Sequence, residues 1–222
     1  MKFKAIIFDF DGVLFDSEKF HLQACNEVFK SLGFNIPEHE YFQHYVGLSD
    51  REMFPLILNI KKIEIKHDPL KILINKKIET YKKIIDGKKT LAGFLNVKTF
   101  INKYFKRIEH FAICSGSTKI ELETVLNKLE GGQLKKFFNP IITSENVSIG
   151  KPSPEGYLLT AKQLGLLPEH CLAIEDTQKG ASAAKTAGMR VAALSISNSN
   201  YKNVDLIAKS YDEIDNWVSE LA

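Results

Sequence analysis

The segment FDFDGVLFDS, Phe8 to Ser17, sets two aspartates, Asp9 and Asp11, at the end of an apolar run. The run before them, AIIF at Ala5 to Phe8, has the aliphatic density of a strand buried on both faces of a sheet, where an unpaired carboxylate is costly. Residues at i and i+2 of an extended chain leave it on the same side, so Asp9 and Asp11 can face one reacting group or one metal ion. Gly12 lets the chain turn sharply after them. A bare Asp-x-Asp also fits a turn with helix-capping carboxylates, so other parts of the chain must discriminate.

The elements around this pair are legible in the hydrophobic rhythm. From Phe94 onward, helical segments alternate with apolar runs ending at FAICS (Phe111 to Ser115), NPIITS (Asn139 to Ser144), CLAIED (Cys171 to Asp176) and RVAAL (Arg190 to Leu194). Such alternation implies a parallel sheet with right-handed crossovers. Between the first strand, Lys4 to Phe10, and this region the pattern is helical. SEKFHLQACNEVFKSLG aligns Phe20, Ala24, Val28 and Leu32 on one stripe, with Ser17 as N-cap and Gly33 as terminator. Further helices are expected near Pro37 to Tyr45, Ser49 to Ile60 and Pro69 to Ile85. The fold class is therefore α/β: a Rossmann-like parallel sheet core from residues 1–16 and 90–222, with an all-helical cap, residues 17–89, inserted in its first connection.

Open parallel sheets bind ligands beyond the carboxyl ends of their strands. Asp9 and Asp11, Ser115, and the pair Glu175 and Asp176 all stand at such ends, and Lys151 stands in the stiff loop GKPSP. Each alone also fits a cap or a solvated charge, but several independent ends supply one combination of carboxylates, hydroxyl and ammonium. In order, DFDGV, ICSGS, GKPSPEGY and IEDTQKG resemble the four motifs of the haloacid dehalogenase superfamily, and the insert resembles that family's small cap. The resemblance implies Asp9 as nucleophile, Asp11 as general acid and base, Ser115, Gly116 and Lys151 as phosphate ligands, and Asp176 with Glu175 on Mg²⁺ together with Asp9 and Asp11.

Elementary chemistry agrees with those roles. A carboxylate that attacks a phosphoryl group divides a hard hydrolysis into two easier steps, and a second carboxyl group can protonate the leaving alkoxide and later deprotonate water. Four ionised carboxylates repel one another and an incoming phosphate. One Mg²⁺ and Lys151 leave a single excess negative charge, which a protonated Asp11 cancels. Ser115, with Gly116 and Ser117 after it, is expected at a helix start, where hydroxyl and N–H groups bind phosphate oxygens.

Within the superfamily, the dehalogenases lack the second aspartate, so Asp11 points to phosphotransfer. DGVLFDSEKFH resembles the beta-phosphoglucomutase and phosphoglycolate phosphatase-like subfamily. His21, Arg51 and the pair Lys77 and Tyr81 fall near cap positions where the mutase contacts substrate, which implies substrate binding by His21, Arg51 and Lys77. Val46 precedes Gly47 where the mutase carries a lysine, and the spacing is one residue longer, so a phosphatase is favoured over the mutase. A noncatalytic phosphometabolite-binding regulator is a third reading, which the coexistence of a nucleophile and an acid disfavours. His21 also fits an ordinary packed histidine.

Composition bounds the partners. The net charge of +3 on 222 residues is too small to imply nucleic acid, and its excess lies between Ser17 and Lys89, with 13 Lys and Arg against 10 Asp and Glu. That segment can face an anion, or simply form a lysine-rich solvated surface. The N-terminal apolar run is too short for a signal peptide or a membrane span, and Cys25, Cys114 and Cys171 have no metal or disulfide spacing. The expectation is a cytoplasmic monomer acting on a small phosphorylated metabolite, with neither membrane nor nucleic-acid partner.

Overall fold

The computed structural model describes residues 3–64, 67–195 and 201–221; Met1, Lys2 and Ala222, which bound the expected core, lie outside the described residues. The sheet has six parallel strands, β1 (Ala5–Phe8), β2 (His110–Cys114), β3 (Phe138–Ile142), β4 (Cys171–Glu175), β5 (Arg190–Leu194) and β6 (Leu206–Ala208), in the order β3-β2-β1-β4-β5-β6. The first five match the apolar runs expected from sequence. The sixth does not appear in that reading: it is three residues long at the sheet edge, and only Ala208 is buried.

β1 is central and buried along its whole length, and its two faces meet different materials. Ile6 and Phe8 enter a large apolar cluster that α5 (Val97–Tyr104), α6 (Lys119–Leu126) and α9 (Tyr211–Glu220) cover. Phe8 there meets Phe138, Phe111 and Phe100 edge to face at centroid distances of 5.6, 5.9 and 6.4 Å. Ala5 and Ile7 face the other way, into a cluster dominated by small residues: Ala112, Ala173, Ala161 of α7 (Glu155–Leu164) and Ala181, Ala183 and Ala184 of α8 (Gln178–Thr186). Small side chains allow these two helices to approach the sheet closely.

The described residues between 18 and 86 contribute helices and no strand, chiefly α1 (Glu18–Phe29), α2 (Glu38–His44), α3 (Asp50–Ile60) and α4 (His67–Asp86), around their own apolar cluster of Val28, Phe29, Phe54 and Ile57. A 3-10 turn, Lys30–Leu32, follows α1, and Gly33 ends it in the left-handed region, φ +85°. Ser49 caps α3 in a reciprocal box with Glu52. Ser17 departs from expectation: its backbone is helical and its hydroxyl makes no cap bond, because it donates to Asp11 instead. All three cysteines are free and buried, and burial pushes the Cys171 thiol up to about 11. No helix among the described residues is long and apolar enough to cross a membrane.

Because Phe8 is fully buried among Phe138, Phe111 and Phe100, Phe8→Ala is expected to lower unfolding free energy by about 3–5 kcal/mol, measured by urea denaturation.

Candidate active site

Strand register brings the chemistry to one edge. Phe8 of β1 pairs with Ile113 on one side and Ile174 on the other, so Asp9, Cys114 and Glu175 follow at the same level. Lys151 enters from the loop before α7 and places its ammonium among them. It donates to Asp9, to Glu175 Oε1 at 2.6 Å and to the Cys114 carbonyl at 2.9 Å. Asp9 and Glu175 raise its pKa well above the usual lysine value although burial opposes this. Tyr157 of α7 completes the group, donating to Glu175 Oε1 at 2.5 Å.

Asp9, Glu175 and Asp176 each offer a carboxylate oxygen, and these atoms lie within 4.8 Å of one another. Glu175 Oε2 is buried without a hydrogen-bond partner. An orphaned anionic oxygen beside two more carboxylates fits a hard divalent cation, and an all-oxygen set suits Mg²⁺. Without one, burial raises Asp9 and Asp176 well above the usual carboxylate range, and neighbouring carboxylates add to the effect. Backbone at Gly12 makes room for this cluster. It turns with φ +76°, and a Cβ there would lie 1.8 Å from Asp176 Oδ2.

Asp11, expected with these three carboxylates, is not among the group whose oxygens lie within 4.8 Å of one another. Its side chain is turned to a different group of donors: the Ser17 hydroxyl, the Ser117 hydroxyl at 2.6 Å and His21 Nε2 at 3.3 Å. Burial would raise its pKa, but His21 and the two hydroxyls outweigh that and hold it below the usual range. The Ser115 hydroxyl lies 3.4 Å from Asp11 Oδ2 and accepts from the Ser117 N–H at 3.0 Å. Ser115 is not at the helix start as expected. Thr118 caps α6, three residues later, in a box with Glu121. Gly116 lies between, lining the cavity, with nothing near the place a Cβ would take.

Above this edge lies a cavity of about 800 Å³ walled by core and cap together. The cap cations expected to reach it divide. Arg51, at the start of α3, is exposed, lines the cavity and has no ion-pair partner among the described residues. Lys77 is 2% exposed and held by carboxylates: Glu121 Oε1 at 2.7 Å and Asp50 Oδ1 at 2.9 Å. It also donates to His21 Nδ1 at 2.9 Å, so that ring nitrogen accepts and the proton sits on Nε2, toward Asp11. Tyr81 stacks on His21 at 4.2 Å and is buried. Lys77, expected from sequence to bind substrate, lines the cavity with its ammonium already engaged by these partners. Sequence reasoning also passed over Asp50, Tyr157 and Glu121; of these, only the Thr118-x-x-Glu121 spacing carried a readable signal, that of a capping box.

Residues 6–194 match the family model described as haloacid dehalogenase-like hydrolase. The chain belongs to this family. A phosphorylated carbohydrates phosphatase from Thermotoga maritima is 30% identical over 188 residues, 84% of this chain and 82% of its relative. A fructose-1-phosphate phosphatase from Escherichia coli is 25% identical, covering 85% of this chain and 94% of that one. Among solved structures, CbbY from Rhodobacter sphaeroides in complex with phosphate superposes with a TM-score of 0.87 at 24% identity, covering 96% of each chain, a likeness of fold.

A Cβ at Gly180 of α8 would fall 2.1 Å from the Glu175 carboxylate, which Lys151 and Tyr157 hold in place. Gly180→Ala is therefore expected to cost about 1–3 kcal/mol of stability, read as a lowered melting temperature.

Proposed function

We propose that this protein is a Mg²⁺-dependent phosphatase that hydrolyses a small phosphorylated sugar or related metabolite through an aspartyl phosphate on Asp9. The observation that carries this reading is the convergence of Asp9, Lys151, Glu175 and Asp176 at one strand edge beneath a cavity, with Asp11 and Ser115 alongside. The names of its phosphatase relatives support it. Core residues 1–16 and 90–222 hold the reacting groups, and cap residues 17–89 close over them. All of these groups come from one chain, so a monomer suffices.

Lys151 and the Ser115–Gly116 loop bind phosphate oxygens and orient phosphorus toward Asp9. An Asp9 oxygen forms the new P–O bond as the bond to the leaving alkoxide breaks. Asp11 delivers a proton to that alkoxide, then accepts one from the water that attacks the aspartyl phosphate, releasing inorganic phosphate and Asp9. To carry the first proton, Asp11 must leave the donors Ser17, Ser117 and His21, which stabilise its anionic form. Asp9, Glu175 and Asp176 would hold Mg²⁺, which neutralises their mutual repulsion and that of the phosphoryl oxygens.

Phosphate release from a panel containing glucose 1-phosphate, fructose 1-phosphate and phosphoglycolate, with isomerisation of glucose 1-phosphate followed in parallel, tests the reading against the mutase alternative. Asp9→Asn is expected to abolish release, since a neutral amide is a poor nucleophile; near-normal activity of homogeneous variant protein would overturn the covalent mechanism. Chelation is expected to remove activity and Mg²⁺ to restore it. Since Asp9 and Asp176 hold protons more tightly than ordinary carboxylates, Mg²⁺ must displace them, and its affinity should fall as pH drops. Calorimetric titration at about pH 8 and about pH 6 measures this, and tighter binding at the lower pH contradicts it. Finally, Arg51→Ala should reduce kcat/KM for the preferred metabolite by about tenfold, roughly 1.4 kcal/mol, and change turnover of a small generic ester much less.

A further inference from the structure

Glu121 is the residue where the phosphate-side loop and the cap meet on one carboxylate. It sits in the first turn of α6, on the core, and is 2% exposed. Its Oε2 accepts from the Thr118 N–H at 3.1 Å and from the Thr118 hydroxyl at 2.7 Å, which fixes the end of the Ser115–Thr118 loop. Its Oε1 accepts from Lys77 of α4 at 2.7 Å, across the boundary between core and cap. Lys77 then holds two further cap elements: Asp50 at the start of α3, next to Arg51, and His21 of α1, whose other nitrogen faces Asp11.

A helix cap alone needs neither feature of this arrangement. The capping box uses Oε2 only, and exposed N3 glutamates perform it without a buried cation. Burying Lys77 is costly unless carboxylates meet it, and Glu121 is the one that the core supplies. Removing it leaves Lys77 with partners from the cap alone, so no ion pair among the described residues then ties α4 to α6.

We propose that Glu121 is a positioning residue: by latching Lys77 it sets the closed placement of the cap, carrying Arg51 over the cavity and His21 onto Asp11. This rests on the phosphatase reading and deepens it, because it assigns cap registration to a residue of the core that acts through Lys77. A substrate with a large nonreacting part depends on the latch, whereas a small ester that the cap scarcely grips does not.

The test compares Glu121→Gln, Lys77→Met, the double variant and Thr118→Ala with wild type. Each is assayed with the panel sugar phosphate turned over best and with p-nitrophenyl phosphate. Glu121→Gln is expected to lower kcat/KM for the sugar phosphate tenfold or more and for p-nitrophenyl phosphate less than threefold. In the Lys77→Met background it should add less than twofold, since both changes break one contact. Thr118→Ala, which removes only the cap hydroxyl, should affect both substrates alike. Should Glu121→Gln fail to fold, Glu121→Asp keeps a charge in the first turn but is one methylene short of Lys77, and should show the same selective loss. Equal losses on both substrates, additive losses in the double variant, or wild-type selectivity in Glu121→Asp would overturn the latch. Wild-type protein that releases no phosphate from any ester would instead overturn the phosphatase reading, and the latch with it.

Discussion

The site depends on one ammonium group. Strand β1 is buried on both faces and ends in Asp9; β4 beside it ends in Glu175 and Asp176, so three carboxylates leave water at one place. Such a cluster is untenable without positive charge, and Lys151 is the cation that the chain itself supplies. Its reach fixes much else. The GKPSP loop must end over β1 and β4, α7 must begin there, and Tyr157 must point its hydroxyl back at Glu175. That geometry requires α7 and α8 to lie close to the sheet, which explains why the covering face is built from alanines while the opposite face is built from phenylalanines.

The same element of charge appears twice more in the cap, under opposite conditions. Lys77 is surrounded by Glu121, Asp50 and His21, and its charge is consumed in holding helices together. Arg51 is left in water at the cavity wall, where a guanidinium remains available to an incoming anion. One cation organises structure and the other is free for recognition, although they lie on adjacent helices.

That division shows where sequence reasoning succeeds and where it stops. β1, β2, β4 and β5 are legible because strands buried on both faces must be continuously apolar, and helices α1 to α4 because an apolar stripe must recur with the helical period. β6 is invisible because a short, half-exposed edge strand needs no such signature. In the site, Asp9, Glu175, Asp176 and Lys151 are legible from strand ends and ordered motifs. The turning of Asp11 toward Ser17, Ser117 and His21 is not, since it depends on how α1 and the Ser115–Thr118 loop pack after the chain leaves β1. Nor does the sequence separate Lys77 from Lys71: both are lysines of one amphipathic helix, and only the position of α6 decides which of them is buried.

The place of β1 in the sheet also governs the order in which the chain can assemble. Its partners on either side, Ile113 and Ile174 opposite Phe8, lie more than a hundred positions later in the sequence. The cap helices, whose contacts are mostly nearer in sequence, can form while β1 still waits for both neighbours. The middle of the sheet therefore closes late and over long loops, which places the main entropic barrier of folding in the core rather than in the cap. During synthesis β1 is an apolar segment with two open edges until β2 emerges and with one until β4 does, a state in which pairing with another chain competes with pairing at home.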